Sequence, residues 1–226
     1  MSADWQSYRL GDFVPFTPEV YFRLIERVNE AFWPWQLVLL ALGLGALVLA
    51  LRGNYRAALV VLAPAWVVSA LAFHFDYYAE INVAASWFGR AFIAQALLLV
   101  VLAALPVRRP SRSRPGTIQR IAGTAIAVIG IAAWPLISVL AGHGWGRSEV
   151  FGLHPDPIAV ATLGIVLLVV TGLRAGLAMA IPAVWCLMTG LILHALDATW
   201  AMLPMMLAVV AGLSPLAGRI VGRIGK

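Results

Sequence analysis

Hydrophobic residues fall along this chain in seven long runs separated by short polar gaps. The runs cover about 33–51, 57–75, 81–107, 117–142, 157–173, 175–196 and 199–220. A helix needs roughly 20 apolar residues to cross the hydrocarbon core. The pattern therefore predicts an all-α integral membrane protein with seven transmembrane helices. Upstream, residues 1–32 are mixed in character. There Thr17-Pro18-Glu19 spells a helix start, with a hydroxyl cap, a proline at the first helical position and an acid in the first turn. The helix that follows, to about Glu30, gathers Val20, Leu24, Val28 and Ala31 on one face, with Arg23, Glu26, Arg27 and Glu30 largely elsewhere. That stripe is too narrow and too charged to span, so an interfacial amphipathic helix on the outer leaflet is expected. Trp5, Tyr8, Tyr21, Phe22, Trp33 and Trp35 supply an aromatic belt at the headgroups.

The gaps alternate in charge. Asp76, Glu80, Glu149, Asp156 and Asp197 occupy every second gap and match the acids of the N-terminal tail, Asp4, Asp12, Glu19, Glu26 and Glu30. Arg52, Arg56, Arg108, Arg109, Arg112, Arg114, Arg120, Arg174, Arg219, Arg223 and Lys226 occupy the others. Short basic loops stay cytoplasmic, so the N-terminus is expected outside and the C-terminus inside. No apolar leader precedes the first run, which is expected to insert as a reverse anchor.

Composition narrows the classes further. The 226 residues are 62% hydrophobic and 12% charged, with mean hydropathy +0.90. A soluble domain carries about 25% charged residues. The spans use up nearly the whole chain, which leaves a periplasmic tail and helix at 1–32 and one membrane domain at 33–226. A pI near 10.2 would suggest nucleic acid in a soluble protein. Here the arginines lie in the expected inner loops, so no nucleic-acid partner is expected. The single cysteine, Cys186, excludes a disulfide within the chain.

The order of residues suggests an internal duplication. Leu42-Gly43, Arg52, Pro64-Ala65-Trp66, His74 and Asp76 are echoed by Leu163-Gly164, Arg174, Pro182-Ala183-Val184-Trp185, His194 and Asp197. Repeats at 33–107 and 157–220 with a linker span at 117–142 would make a 3+1+3 plan of parallel repeats. The SWEET-type sugar transporters are similar in that architecture. Common Leu, Gly and Ala in apolar helices would produce the same order by chance.

Few residues carry obvious chemistry. Arg90 lies about ten residues into the third run, and a charge at that depth is expected to face the protein interior. Asn82, Gln95, Trp87 and Glu80 are its candidate companions around a ligand. The four histidines sit toward the outer end with several carboxylates. Imidazole and carboxylate together suit a transition metal, and His74, His194, His154 and Asp76 are the candidate ligands. The tight spacings that mark zinc sites are absent, so no metal is expected. Haem held by His74 and His194 has no spacing to support it either. Asp156 before Pro157, and Asp197 before the last run, read as helix caps. The only lysine, Lys226, lies outside every run, which excludes a retinal Schiff base. No nucleophile elbow, P-loop or His-Glu-x-x-His motif is present, so no enzyme is expected.

Three stretches resemble a family of bacterial multi-span proteins catalogued only as a domain of unknown function. They are Phe16-Thr17-Pro18-Glu19-Val20-Tyr21-Phe22-Arg23-Leu24 with Glu26 and Asn29, then Tyr77-Tyr78-Ala79-Glu80-Ile81-Asn82, then Phe151-Gly152 through Pro155-Asp156-Pro157 to Thr162-Leu163-Gly164. The resemblance implies a compact protein of the bacterial inner membrane and no particular substrate. Three readings follow from architecture: a small-solute permease, a non-catalytic accessory subunit or sensor of a membrane complex, and a metal- or haem-binding membrane protein. The lipid bilayer is the expected surrounding in each, with a second copy or a complex partner open.

Overall fold

Residues 10–106 and 116–224 are described in a computed structural model. Expectations for Asp4, Trp5, Tyr8, Arg108, Arg109, Arg112, Arg114 and Lys226 fall outside them. The described residues are mostly helical, without strands. In chain order the helices are α1 (Pro18–Ala31), α2 (Trp35–Leu51), α3 (Tyr55–Glu80), α4 (Ala85–Ala104), α5 (Thr117–Leu140), α6 (Pro155–Val169), α7 (Leu173–Ala195) and α8 (Met202–Ile224). The seven apolar helices lie where the seven runs place them, within a few residues at each end. By length and composition, α3, α4, α5 and α7 can cross a membrane, and α1 with α2 makes a fifth if the bent pair is one span. α6 and the apolar part of α8, Met202–Leu216, are shorter.

Local chemistry sets the boundaries. Thr17 caps α1 as expected, with its hydroxyl accepting from the Val20 amide at 3.4 Å. Asn54 caps α3 by accepting from Ala57. α4 begins later than the apolar run because Asn82 closes a turn, its side-chain oxygen accepting from the Ala84 amide at 2.9 Å. α5 carries a π-helical segment over Ile129–Ala133 that ends two residues before Pro135. A proline has no N–H for the ladder, and a wider turn is one way a helix absorbs that loss. α3 turns π-helical over Ser69–Tyr77.

α6 is the axle of the molecule. Fourteen of its fifteen residues are buried, and it touches α2, α3, α5, α7 and α8. At ~1.5 Å per residue it is about 22 Å long, short of the roughly 30 Å hydrocarbon thickness. The helices around it present an apolar outer surface, with Leu37, Val48, Leu97, Val184 and Val209 exposed. α5 approaches α6 unusually closely through small residues. A Cβ at Gly164 would collide with the backbone of Ala127 and Gly123, and one at Gly130 with the backbone of Ala161 and Pro157. Close backbone approach of this kind is how helices associate where water cannot drive them together.

α1 lies at 93° to α2, across one end of the bundle. It does not continue along α2, in keeping with a helix that does not cross; of its apolar stripe, Leu24 and Val28 are buried against protein, while Val20 and Ala31 stay exposed. Leu24 and Val28 pack with Leu39, Phe73, Tyr78 and Leu153, while Tyr21, Phe22 and Ile25 pack with Leu193, Leu196 and Ala201. Amphipathicity states that a face must be covered and not by what. Ion pairs Arg27–Glu80 at 2.8 Å and Arg147–Glu26 at 3.3 Å fasten its polar side, and Asn29 donates to the carbonyls of Gly146 and Ser148. This is called the lid end; the opposite end, with Arg52, Arg56, Arg120 and Arg174, is the basic end.

The proposed repeats differ in burial. α2, the counterpart of α6, buries five of its seventeen residues. Pro64 is exposed, whereas Pro182 is buried. Trp66 and Trp185 do share one role: each indole donates to a polar residue of α6.

The α5–α6 approach is open to a direct test. Gly164→Ala should destabilise the protein by about 1–3 kcal/mol through overpacking. Gly45→Ala, where a Cβ meets nothing within 4 Å, should be neutral or slightly stabilising. Thermal unfolding in detergent reads both, and equal midpoints for the two would refute the packing argument.

Candidate functional site

Two carboxyl groups are buried side by side under α1. Glu149 comes from the loop between α5 and α6, and Asp156 from the first turn of α6. Four donors from three helices converge on them. Tyr21 of α1 donates its hydroxyl to Glu149 Oε1 at 2.8 Å, and the Trp134 indole of α5 donates to Oε2 at 2.8 Å. On Asp156, the Trp185 indole donates to Oδ1 at 2.7 Å and the Thr189 hydroxyl to Oδ2 at 2.9 Å, both from α7. Each carboxyl also affects the ionisation of the other.

The electrostatics follow from this geometry. Burial and the neighbouring Asp156 push the Glu149 carboxyl well above the usual carboxylate range. Two acids in one dry site cannot both ionise cheaply, so the pair is built to keep a proton. The imidazole of His154, two positions before Asp156, offers no counter-charge. His154 is fully buried, and burial pushes its ring down to about 3, so it is neutral. Its Nδ1 accepts from the Val150 amide at 3.0 Å. The proton of the neutral ring is therefore on Nε2, which has no hydrogen-bond partner among the described residues.

A second polar layer lies beneath. His74 is fully buried in the π-helical part of α3, with its ring 4.4 Å from Phe92 and 5.1 Å from Trp185, centroid to centroid. Deeper still, the Trp66 indole donates to Thr162 at 2.9 Å, and Gln95 donates to the Ala178 carbonyl at 2.8 Å.

The structure relocates most of the residues that the sequence singles out. Arg90 is exposed, five residues after the start of α4, with its guanidinium 4.5 Å from the ring centre of the exposed Trp87. The interior placement is thereby corrected. The Asn82 turn delays α4, so Arg90 lies near the helix end, where a long cation reaches the interface. Glu80 is exposed and paired with Arg27, and Asn82 donates to the Tyr78 hydroxyl at 3.0 Å. Arg90, Trp87 and Glu80 thus lie at the surface, while Gln95 is buried with α7. His74 and His154 are buried, whereas His194 and Asp76 are exposed, and no group of three or more potential metal ligands occurs among the described residues. Of the two histidines considered for haem, His74 is enclosed by Phe92 and Trp185, and His194 is exposed. Asp156 is not a cap, since His154 precedes the helix and the Asp156 carboxylate points to α7. Asp197 does not cap α8 either. It has φ of 55° in the turn after α7, with its amide bonded to His194.

A family model matches residues 18–216, from the start of α1 to the last described side chain of α8. The chain belongs to DUF6064, a family of unknown function. The match takes in both the lid helix and the acid pair beneath it. No curated protein and no solved structure matches the chain.

The acid pair makes two predictions about stability. Tyr21→Phe removes one donor from a buried carboxyl and should cost about 1–3 kcal/mol, with faster hydrogen exchange in α1. The pH dependence has a definite sign. Because the folded value of Glu149 lies above its ordinary 4.5, the fold binds that proton more tightly than the unfolded chain does. The associated stability is complete below 4.5 and is lost as pH rises through the folded value. Glu149→Gln, a permanent neutral stand-in, should flatten that slope in melting curves taken across pH.

Proposed function

We propose that this is a multi-pass protein of the bacterial inner membrane, crossing it seven times with the lid end in the periplasm. We further propose that it acts as a proton-responsive sensor or accessory subunit. The observation that carries the reading is the fastening of α1 to a buried acid pair. A lid whose anchor holds a proton is coupled to the acidity of the compartment it faces. Ionisation of Glu149 strengthens its bond from Tyr21 but buries a charge beside Asp156, a cost that lifting α1 relieves by admitting water. The exposed face of α1 bears Arg23, Arg27 and Glu30. A partner in a membrane complex could read that face.

The orientation is supported by charge. Glu26, Glu80 and Glu149 gather at the lid end, and Arg52, Arg56 and Arg174 at the basic end, as the positive-inside rule requires. α6 and α8 are short for spans, but α6 is wrapped by other helices and does not itself set the membrane thickness. Small-solute permeation, the first expectation from the span pattern, asked for Arg90 at a central polar space. Arg90 on the outer surface of α4 gives that reading no support, and the sensor-subunit reading takes precedence.

Two measurements test the proposal. In a Cys186→Ser background, Trp145→Cys at the lid end should react with an impermeant maleimide in intact cells, and Gly53→Cys at the basic end should not. The reverse pattern would sink the orientation. Trp134 and Trp185 touch the two acids directly, so intrinsic fluorescence in nanodiscs should titrate with pH above the ordinary carboxylate range. The transition should vanish in Glu149→Gln. A pH-independent spectrum in the wild type would overturn the proton-responsive reading.

A further inference from the structure

We propose that the acid pair is the mouth of a proton path through the bundle, running by way of His74, Ser69 and Gln95 to a cavity at the basic end. The proposal rests on the lid-end acid pair being a proton-binding site, and extends it from sensing to conduction.

The starting observation is a file of buried polar atoms that the protein leaves unmatched. Among the described residues, these are Ser69 Oγ, both ring nitrogens of His74, Gln95 Oε1 and His154 Nε2. Buried polar groups are almost always matched by protein or by ordered water. Four of these five atoms belong to Ser69, His74 and Gln95, and they point to water, which is small, donates and accepts, and needs no large cavity.

Backbone geometry puts them in line. Ser69 and His74 are five residues apart, which in an α-helix would separate them by about 140°. The π-helical turn of Ser69–Tyr77 closes with i→i+5 bonds and brings the two onto one face. That face meets α4 at Phe92, which contacts His74, and Gln95 lies one turn further along the same face. α3 and α4 run in opposite directions, so Ser69 lies deeper than His74 just as Gln95 lies deeper than Phe92.

α7 joins the two ends. Trp185 and Thr189 hold Asp156, and the Trp185 ring lies 5.1 Å from His74, centroid to centroid. Two turns closer to the basic end, Ala178 receives Gln95. The neighbouring residues Ala175, Gly176 and Met179 wall a cavity of about 700 Å³ that Gln119 and Thr171 also line. Gln95 and the cavity thus meet the same stretch of α7, the end that the proposed path requires.

The transfer conserves charge and needs no oxidant. A proton from lid-end water joins the carboxyl pair, and the pair releases one to an internal water. That water protonates one nitrogen of His74, while the other nitrogen gives its proton to a water held by the Ser69 hydroxyl and the Gln95 carbonyl. The excess proton leaves by the cavity, and exchange of the ring's tautomer resets His74. A neutral imidazole accepts at one nitrogen and donates at the other, which suits His74 to such a relay.

The test is proton influx into liposomes holding the full chain and an entrapped pH dye, with valinomycin to collapse the potential after an external acid jump. Wild type should acidify faster than empty vesicles. His74→Phe should slow the influx about tenfold or more, as loss of a positioned proton-transfer group does. Ser69→Ala should also slow it and is mild enough to fold. Arg90→Gln, on the outer surface, should match wild type. Influx no faster than in empty vesicles overturns the path, as does full wild-type influx in both His74→Phe and Ser69→Ala. Trp fluorescence separates the two levels. If it still titrates while influx is absent, the acid pair senses without conducting; if neither responds, both readings fall.

Discussion

A carboxyl group taken out of water must keep its proton or be met by donors. Glu149 and Asp156 face that requirement together, and much of the lid end is arranged around it. Tyr21, Trp134, Trp185 and Thr189 each bring a donor, and each comes from a helix that must be correctly placed to do so. The acids thus act as a register mark for α1, α5, α6 and α7 at once. Losing one donor strands a buried acceptor, which costs more than the bond itself is worth. The arrangement therefore penalises misplacement of any of these helices. Hydrophobic packing alone is permissive about register in a bundle of Leu, Val and Ala.

The same logic explains why α6 is central and short. It carries Asp156 in its first turn and Thr162 further along, and both accept from tryptophans on other helices. A helix bearing buried acceptors must be enclosed by partners that supply donors. Gly164 and Ala161 let α5 press against its backbone, while Trp66 and Trp185 span the wider gaps to α3 and α7. Small residues on one side and indoles on the other fill the space around one axis without leaving polar atoms of α6 unmatched.

Much of the helix layout was legible in the apolar runs, because spanning length and charged gaps are local properties. What failed was whatever depends on a distant partner. Asp156-Pro157 spells a cap in sequence, yet its carboxylate belongs to Trp185, 29 positions away, and no spacing rule reports such a pair. Arg90 was placed too deep because the apolar run begins before the helix does; the Asn82 turn delays the start of α4. The apolar stripe of α1 was legible, but its cover of Phe73, Leu193 and Leu196 was not. Trp66 and Trp185 did stand out, each lying shortly after a proline, Pro64 and Pro182. Their common role as donors to α6 is the part of the repeat pattern that has a physical meaning.

The unequal fates of His74 and His194 show what a π-helical segment can do in such a fold. Both lie near the lid end, eight or nine residues beyond a tryptophan that faces α6. α7 stays α-helical to its end, and His194 emerges exposed. α3 widens over Ser69–Tyr77, and the changed rotation carries His74 inward against Phe92 and Trp185. Restoring an ordinary α-turn there would separate His74 from Ser69 around the helix by about 140°. A π-turn sacrifices good hydrogen-bond geometry, so its position beneath the acid pair is best understood through the side chains it re-aims. In this bundle the departure from regular helix decides which of two otherwise similar histidines enters the interior.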